Sequence, residues 1–490
     1  MCRGEADVWS VGWESGCVHF GVVLLSHSRL SRIDKTNVQS EKPALELSEK
    51  RLTLTVLRLV WPVVLQEAAW TVLAMIIMVF IGHLGAEAVT AVGLSEQIIF
   101  LPVMAFAGIS VGTTAIVARH IGAREPAQAN NTMRQAMLLA LILGIIFGLV
   151  LWFCADQLLW VFRARPEVIE LGRNYIRANA PGTIFFFILY CGESTLRASG
   201  DTRTPMVVII IMEAIGTGLA YALINGTGFL PALGVFGAGL ARAVASVIGA
   251  LVILAILIKG RGPLQYKVRT ALVFDWRETR RILKVGLPAF GDQLQMRVGM
   301  SIYTIILSSL GTTVYAAHAL AMRVEEFAFM PSFGFGIAAT ALVGQSLGAK
   351  KPDLAKKAGY IIQRYCMVTM VILGLITFVY GRQLLSLFIN DPEVIRTGAL
   401  GLKIWAFAMP GMATNQSLAG GLRGSGDTRW VFILTTIGMW TMRVGCGALM
   451  VFLFNLGAPG AWIGAVLDHN VRAILIWRRF AGGKWQKIEV

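Results

Sequence analysis

The chain has 490 residues, of which 56% are hydrophobic and 15% charged, with a formal net charge of +16. Soluble domains carry about 25% charged residues, so most of this surface is built for a bilayer. The Lys and Arg fall in short clusters between long apolar runs, which excludes a basic nucleic-acid groove and reads as membrane orientation.

The first fifty residues differ from the rest. Phe20 to Leu25 is too short to span a membrane, only Arg3 precedes it as a basic flank, and no small-residue cleavage site follows. Residues 1–50 are expected to be a disordered cytosolic tail, or the product of a start codon assigned upstream of the native one. Twelve runs follow that meet the length of about 20 residues needed to span. In the first half they are 55–81, 88–118, 132–155, 168–194, 205–225 and 236–258; in the second half, 281–308, 314–345, 357–380, 394–421, 430–454 and 459–480. Residues 259–280, rich in charge, are the expected linker between a first lobe (51–258) and a second (281–480), with a cytoplasmic tail at 481–490.

The halves are copies. LRASGDTR at Leu196–Arg203 returns as LRGSGDTR at Leu422–Arg429, an offset of 226 residues that also superposes Pro62 on Pro288, Gly85 on Gly311, Gly122 on Gly348 and Pro166–Ile169 on Pro392–Ile395. Six spans per copy put both copies the same way up, as parallel repeats about an axis along the membrane normal. The fold class expected is therefore an all-α integral membrane protein of two six-helix lobes around a central cleft. Basic loops after the second, fourth, sixth, eighth, tenth and twelfth spans place that face, and both termini, in the cytoplasm of a plasma (inner) membrane.

Absences narrow the chemistry. The sequence holds no GxxxxGK[ST], HExxH or GxSxG, and its six His and six Cys show neither metal-ligand nor disulfide spacing. An enzyme, a metal and a bound cofactor are not expected. Acidic residues within spans remain, and such groups normally face a bundle interior or a wet cavity. Glu67, Glu96, Asp292, Glu325, Glu326 and Asp468 qualify. Glu67 follows Pro62 by five residues and Asp292 follows Pro288 by four, one carboxyl per half, as candidates for ion coupling or substrate binding. Counting about 1.5 Å per residue from the turn at Gly311 puts Arg297 and Glu325 level, and they are expected to face each other, either as a structural ion pair or as one that a coupling proton or a substrate breaks. Glu96 serves a first-half cavity or approaches the surface. Asp468 and Arg472, one helical turn apart, read as a structural pair. Glu193 and Glu213 lie near helix ends and are assigned no role.

In LRxSGDTR, Gly200 and Gly426 suit a left-handed helix stop and Asp201 and Asp427 can cap the helix that follows. Arg203 and Arg429 are candidates to pair with acids of a neighbouring loop and close the inner face; the alternative is a turn kept for geometry. Pro62, Pro102, Pro181, Pro288, Pro331 and Pro410 fall inside spans as potential kinks. Met104, Phe106, Phe327, Phe329, Met330, Phe333, Phe335, Met409 and Met412 offer a soft aromatic wall for flat lipophilic cations where they face inward.

FIGHLG (Phe80–Gly85), AVGL (Ala91–Leu94), VARHIGA (Val117–Ala123), SSLG (Ser308–Gly311), the run from Glu325 to Ala349 and both copies of LRxSGDTR resemble the multidrug and toxic compound extrusion (MATE) family. The resemblance covers about residues 52–485. It implies a monomeric secondary antiporter that exports organic, often cationic, small molecules against inward H+ or Na+, with membrane lipids and no nucleic acid as its surroundings. Bacterial branches carry carboxylates where this chain has Ile77, Met296 and Met412. A branch with an acid after each helix-one and helix-seven proline, and E-x-x-x-F-M-P on helix eight, points instead to Glu67, Asp292 and Glu325. The alternative function is a lipid-linked oligosaccharide flippase of the same architecture, which a cleft lined with many Arg and Lys would favour.

Overall fold

The computed structural model describes residues 52–227, 231–267 and 273–489. The expected tail at 1–50 and Arg269 of the expected linker lie outside them. The first lobe comprises α1 (Leu52–Gly82), α2 (Ala86–Gly122), α3 (Pro126–Phe153), the short α4 (Ala155–Val161), α5 (Pro166–Ala198), α6 (Arg203–Asn225) and α7 (Gly234–Lys259). The second comprises α8 (Trp276–Ser308), α9 (Thr312–Gly348), α10 (Pro352–Ser386), α11 (Pro392–Ala406), α12 (Met409–Gly424), α13 (Thr428–Ile437) and α14 (Gly457–Ala481).

Every one of the twelve runs is helical, and eight helical stretches are long and apolar enough to cross a membrane by length and composition. Of the other four, α5, α8 and α14 carry buried charges, Glu193, Asp292, and Asp468 with Arg472, while the tenth span is divided into α11 and α12, of 15 and 16 residues, each too short to cross alone. Pro62, Pro102, Pro181, Pro288 and Pro331 sit inside helices. Pro410 does not: the tenth span breaks at Phe407, and Pro410 opens α12, where its missing N–H costs nothing. After α13 the eleventh span continues as π-helical turns at Gly438–Cys446 and Leu449–Leu453.

The duplication reaches the backbone. Gly85 and Gly311 turn at φ +111° and +106°, Gly200 and Gly426 at +93° and +88°, and even the non-glycine pair Arg124 and Lys350 at +60° and +57°. In both LRxSGDTR copies the Asp N–H returns to the Leu carbonyl (Asp201 to Leu196, 3.0 Å; Asp427 to Leu422, 2.9 Å), closing the left-handed stop expected from the glycine.

The lobes meet symmetrically, α2 against α8 and α9, and α9 against α1. A Cβ added to Gly122 would stand 2.0 Å from the Gln345 carbonyl oxygen, and one added to Gly348 would stand 1.9 Å from that of Arg119. Arg119 and Gln345 are themselves repeat equivalents, so the seam has a pseudo-two-fold axis, with small residues admitting close helix approach. These contacts lie at the basic-loop end. There Gln345 donates across the seam to the Ala198 carbonyl (2.7 Å) and Arg119 to that of Ile488 (2.6 Å). Ile488 is held in place by Trp485, which is fully buried and stacked on Phe480 at 4.6 Å.

Candidate functional site

Away from the basic loops, the seam opens into a cavity of about 630 Å³ lined by both lobes. Gly336 and Thr340 of α9, with Gly108 and Val111 of α2, lie at its basic-loop end, where the lobes close. That volume lies within the ordinary range for small-molecule sites. Much of the wall is apolar and aromatic: Phe100, Met104, Phe329, Phe333, Met412 and Tyr190 among others. Of the Met and Phe residues expected to face inward, Met104, Phe329, Phe333 and Met412 do. Phe106 instead stacks on Phe187 in the first-lobe core, Phe335 and Met409 pack in the second, and Phe327 is exposed.

Five carboxylates line the cavity: Glu67, Glu96, Glu193, Glu213 and Asp292. Arg423 Nη2 donates to Asp292 Oδ2 at 2.9 Å, while Thr435 donates to Oδ1 at 2.5 Å. At the equivalent place in the first lobe, Arg197 Nη2 donates to Glu193 Oε2 at 3.4 Å and Gln66 Nε2 to Oε1 at 3.3 Å. Arg197 and Arg423 are repeat equivalents, the second residue of each LRxSGDTR copy. Glu96 pairs with Arg242 at 2.7 Å and accepts from Tyr175. Among the described residues Glu67 and Glu213 have no ion-pair partner, and Arg297 lies over the Phe100 ring at 4.5 Å, a contact from α8 to α2.

A family model described as MatE matches residues 62–222 and 288–448, two segments separated by the same 226 residues as the repeat. The chain belongs to the MatE family. It is 32% identical to the probable multidrug resistance protein NorM of Thermotoga maritima, over 83% of this chain and 88% of that one. To the multidrug resistance protein PmpM of Pseudomonas aeruginosa it is 26% identical, over 87% and 90%. In fold it is similar to a multidrug resistance MATE family transporter of the MOP superfamily in an outward-facing conformation (TM-score 0.82, 24% identity, 88% of this chain and 97% of that one). A Pyrococcus furiosus MOP superfamily transporter described as having a binding pocket of reverse polarity is similarly close (TM-score 0.81, 24% identity, 88% and 97%).

Within this MATE chain several expected arrangements are corrected. Arg297 and Glu325 do not face each other. Glu325 is buried in the second lobe, its Oε2 without a hydrogen-bond partner among the described residues. Counting residues gives depth along a helix but not direction around it, and α9 turns Glu325 away from the cleft. Glu326 is at the surface, paired with Arg323 at 3.2 Å. Asp468 and Arg472 pair within α14, and Arg443, from the π-helical stretch, brings Nε to 2.9 Å from the same Asp468 oxygen. Arg443 Nη2 also donates to His469 Nε2 at 2.6 Å, and Arg472 reaches the cavity wall.

Asp201 does bond the next helix, accepting from the Thr204 N–H at 3.0 Å, but Asp427 makes no cap and is held by Arg479 at 2.8 Å. Burial raises the Asp201 carboxyl, yet the Thr204 bonds and the Arg261 guanidinium together leave it below its ordinary range. Those partners displace the expected ones: Arg203 lies over the Trp61 ring at 5.5 Å, and Arg429 is exposed. Sequence reasoning missed Arg197, Arg423, Glu193 and Glu213 as cavity residues, and Arg443 altogether. The signal was available for Arg443, a lone arginine mid-span. Ile77, Met296 and Met412, at the positions where relatives of other branches carry acids, are apolar here; the two Met line the cavity and Ile77 packs against the first-lobe core.

Proposed function

We propose that this MATE transporter is a secondary multidrug efflux antiporter, exporting organic cations in exchange for H+ or Na+ by alternating access, with Glu67, Glu193 and Asp292 as the exchanging carboxylates. The observation that carries the reading is the cavity: an aromatic and thioether wall around carboxylates, two of them held by repeat-equivalent arginines of their own lobe. Such a wall suits a flat lipophilic cation, and the carboxylates supply its counter-charge. A proton or Na+ arriving at a carboxylate removes that counter-charge, so ion and drug exclude each other, and by linkage each weakens the other's binding equally. The arginines act as tethered cations that fill Asp292 and Glu193 while the drug is absent. With the basic loops cytoplasmic, the closed seam at that end makes the conformation outward-facing.

A flippase is favoured by one feature, the five arginines that line the cavity: Arg197, Arg242, Arg297, Arg423 and Arg472. Three of them are neutralised by Glu193, Glu96 and Asp292, and Arg472 shares Asp468 with Arg443, so that six arginines stand against six carboxylates once the unpaired Glu67 and Glu213 are counted. With no excess of arginine to hold a pyrophosphate, the balance disfavours a pyrophosphate-bearing cargo. Ethidium efflux from proteoliposomes without ATP, under an imposed pH gradient and separately a Na+ gradient, tests the reading. Efflux with one gradient identifies the coupling ion. Silence with both, across a broad panel of cations, refutes the antiporter.

A further inference from the structure

A second recess of about 400 Å³ lies on the outside of the first lobe, between α6 and α7 at the basic-loop end. Its walls are aliphatic. Val207, Ile211 and Val252 are each more than 40% exposed, and Gly249 keeps the floor low over buried Met212. From Thr204 to Met212 it runs for about 12 Å along α6 at 1.5 Å per residue, most of the depth of one leaflet. At the end where the helices meet the basic loops, the recess is bounded by Arg203 and Arg261. Among the described residues Arg261 spends only Nε, on Asp201 at 3.0 Å, leaving both terminal nitrogens without a partner, and Arg203 makes only the Trp61 ring contact.

We propose that this recess is a binding site for one anionic phospholipid, an acyl chain lying between α6 and α7 and the phosphodiester headgroup bridging Arg203 and Arg261. The recess separates apolar and cationic ends in the order a lipid presents them, tail inward and phosphate at the interface. Two arginines against one aspartate leave a net positive charge there, and forked guanidinium groups match phosphate oxygens. The second repeat does not reproduce the wall. Helices α7 and α14 both open on a left-handed glycine, Gly234 (φ +54°) and Gly457 (φ +59°), and that register sets the apolar Ile256 against Arg479, which is held by Asp427 at 2.8 Å, so the site belongs to the first lobe alone.

Native mass spectrometry of the full chain, titrated with phosphatidylglycerol and with phosphatidylcholine of matched chains, tests it. The intact protein is expected to retain one phosphatidylglycerol in preference. Arg203→Ala with Arg261→Ala is expected to weaken that retention about tenfold or more, from the loss of two headgroup-facing charges. Since Arg261 also neutralises Asp201, a second variant, Val252→Trp, blocks the recess without touching a charge and is expected to abolish the retained lipid. Equal retention of the two lipids, or phosphatidylglycerol retention unchanged in either variant, overturns the proposal.

Discussion

Gly122→Ala is expected to pry the lobes apart at the basic-loop end while leaving each lobe folded. The added methyl would stand 2.0 Å from the Gln345 carbonyl oxygen, against 3.4 Å for ordinary contact, so α2 and α9 must separate by about 1.4 Å there. Both atoms belong to backbone or Cβ, and no rotamer change relieves the clash. Overpacking of this kind costs about 1–3 kcal/mol; at ~2 kcal/mol the equilibrium between closed and open seam moves about thirtyfold. The repeat-equivalent Gly348→Ala meets Arg119 in the same way and should act likewise. Spin labels at Ala127 and Asp353, exposed and repeat-equivalent, read the separation in reconstituted protein. The variant should shift the distance distribution outward with a melting temperature close to that of the parent, because no contact inside a lobe changes. An unchanged distribution in both variants would mean that this seam does not hold the basic end shut.

Glu67→Gln and Asp292→Asn should each reduce gradient-driven ethidium efflux at matched expression; normal efflux in both would remove them from the coupling site. Asp468→Asn strands Arg443 and Arg472, both under 5% exposed, and breaking a buried ion pair costs about 3–5 kcal/mol, which thermal melting in detergent should register as a large loss. Asp275 caps α8, accepting from the Arg277 and Glu278 amides, and Asn131 donates to its other oxygen. These bonds, the Asn131 one foremost, hold its carboxyl below its ordinary value. A depressed carboxylate stabilises above its unfolded pKa of about 3.9, and the gain is lost as pH falls through the lower folded value. The stability gap between the parent and Asp275→Ala should therefore persist at neutral pH and close on acidification.

The fold was legible because its two signals are one-dimensional. Apolar run length marks a span whatever surrounds it, and the 226-residue offset between the LRxSGDTR copies needs no structure to see. The cavity was legible only in part, because it is defined by direction around each helix. Glu67, Asp292 and Glu96 were found as acids at membrane depth, yet the same reasoning paired Glu325 with Arg297, which point into a lobe core and across the cleft respectively. Arg197 and Arg423 show the sharper difficulty. Each is the last residue but one of its helix, so by position it counts as a loop charge. Its long side chain instead reaches away from the loop into the cavity wall, to Glu193 one turn back on the same helix or, for Arg423, to Asp292 on α8. A motif whose arginine was read as a marker of sidedness thus supplies the counter-ion of the cavity. Because the turn at Gly200 or Gly426 fixes where that arginine begins, the geometric and the functional readings of LRxSGDTR become one: the left-handed stop sets the reach of Arg197 and Arg423 to their carboxylates.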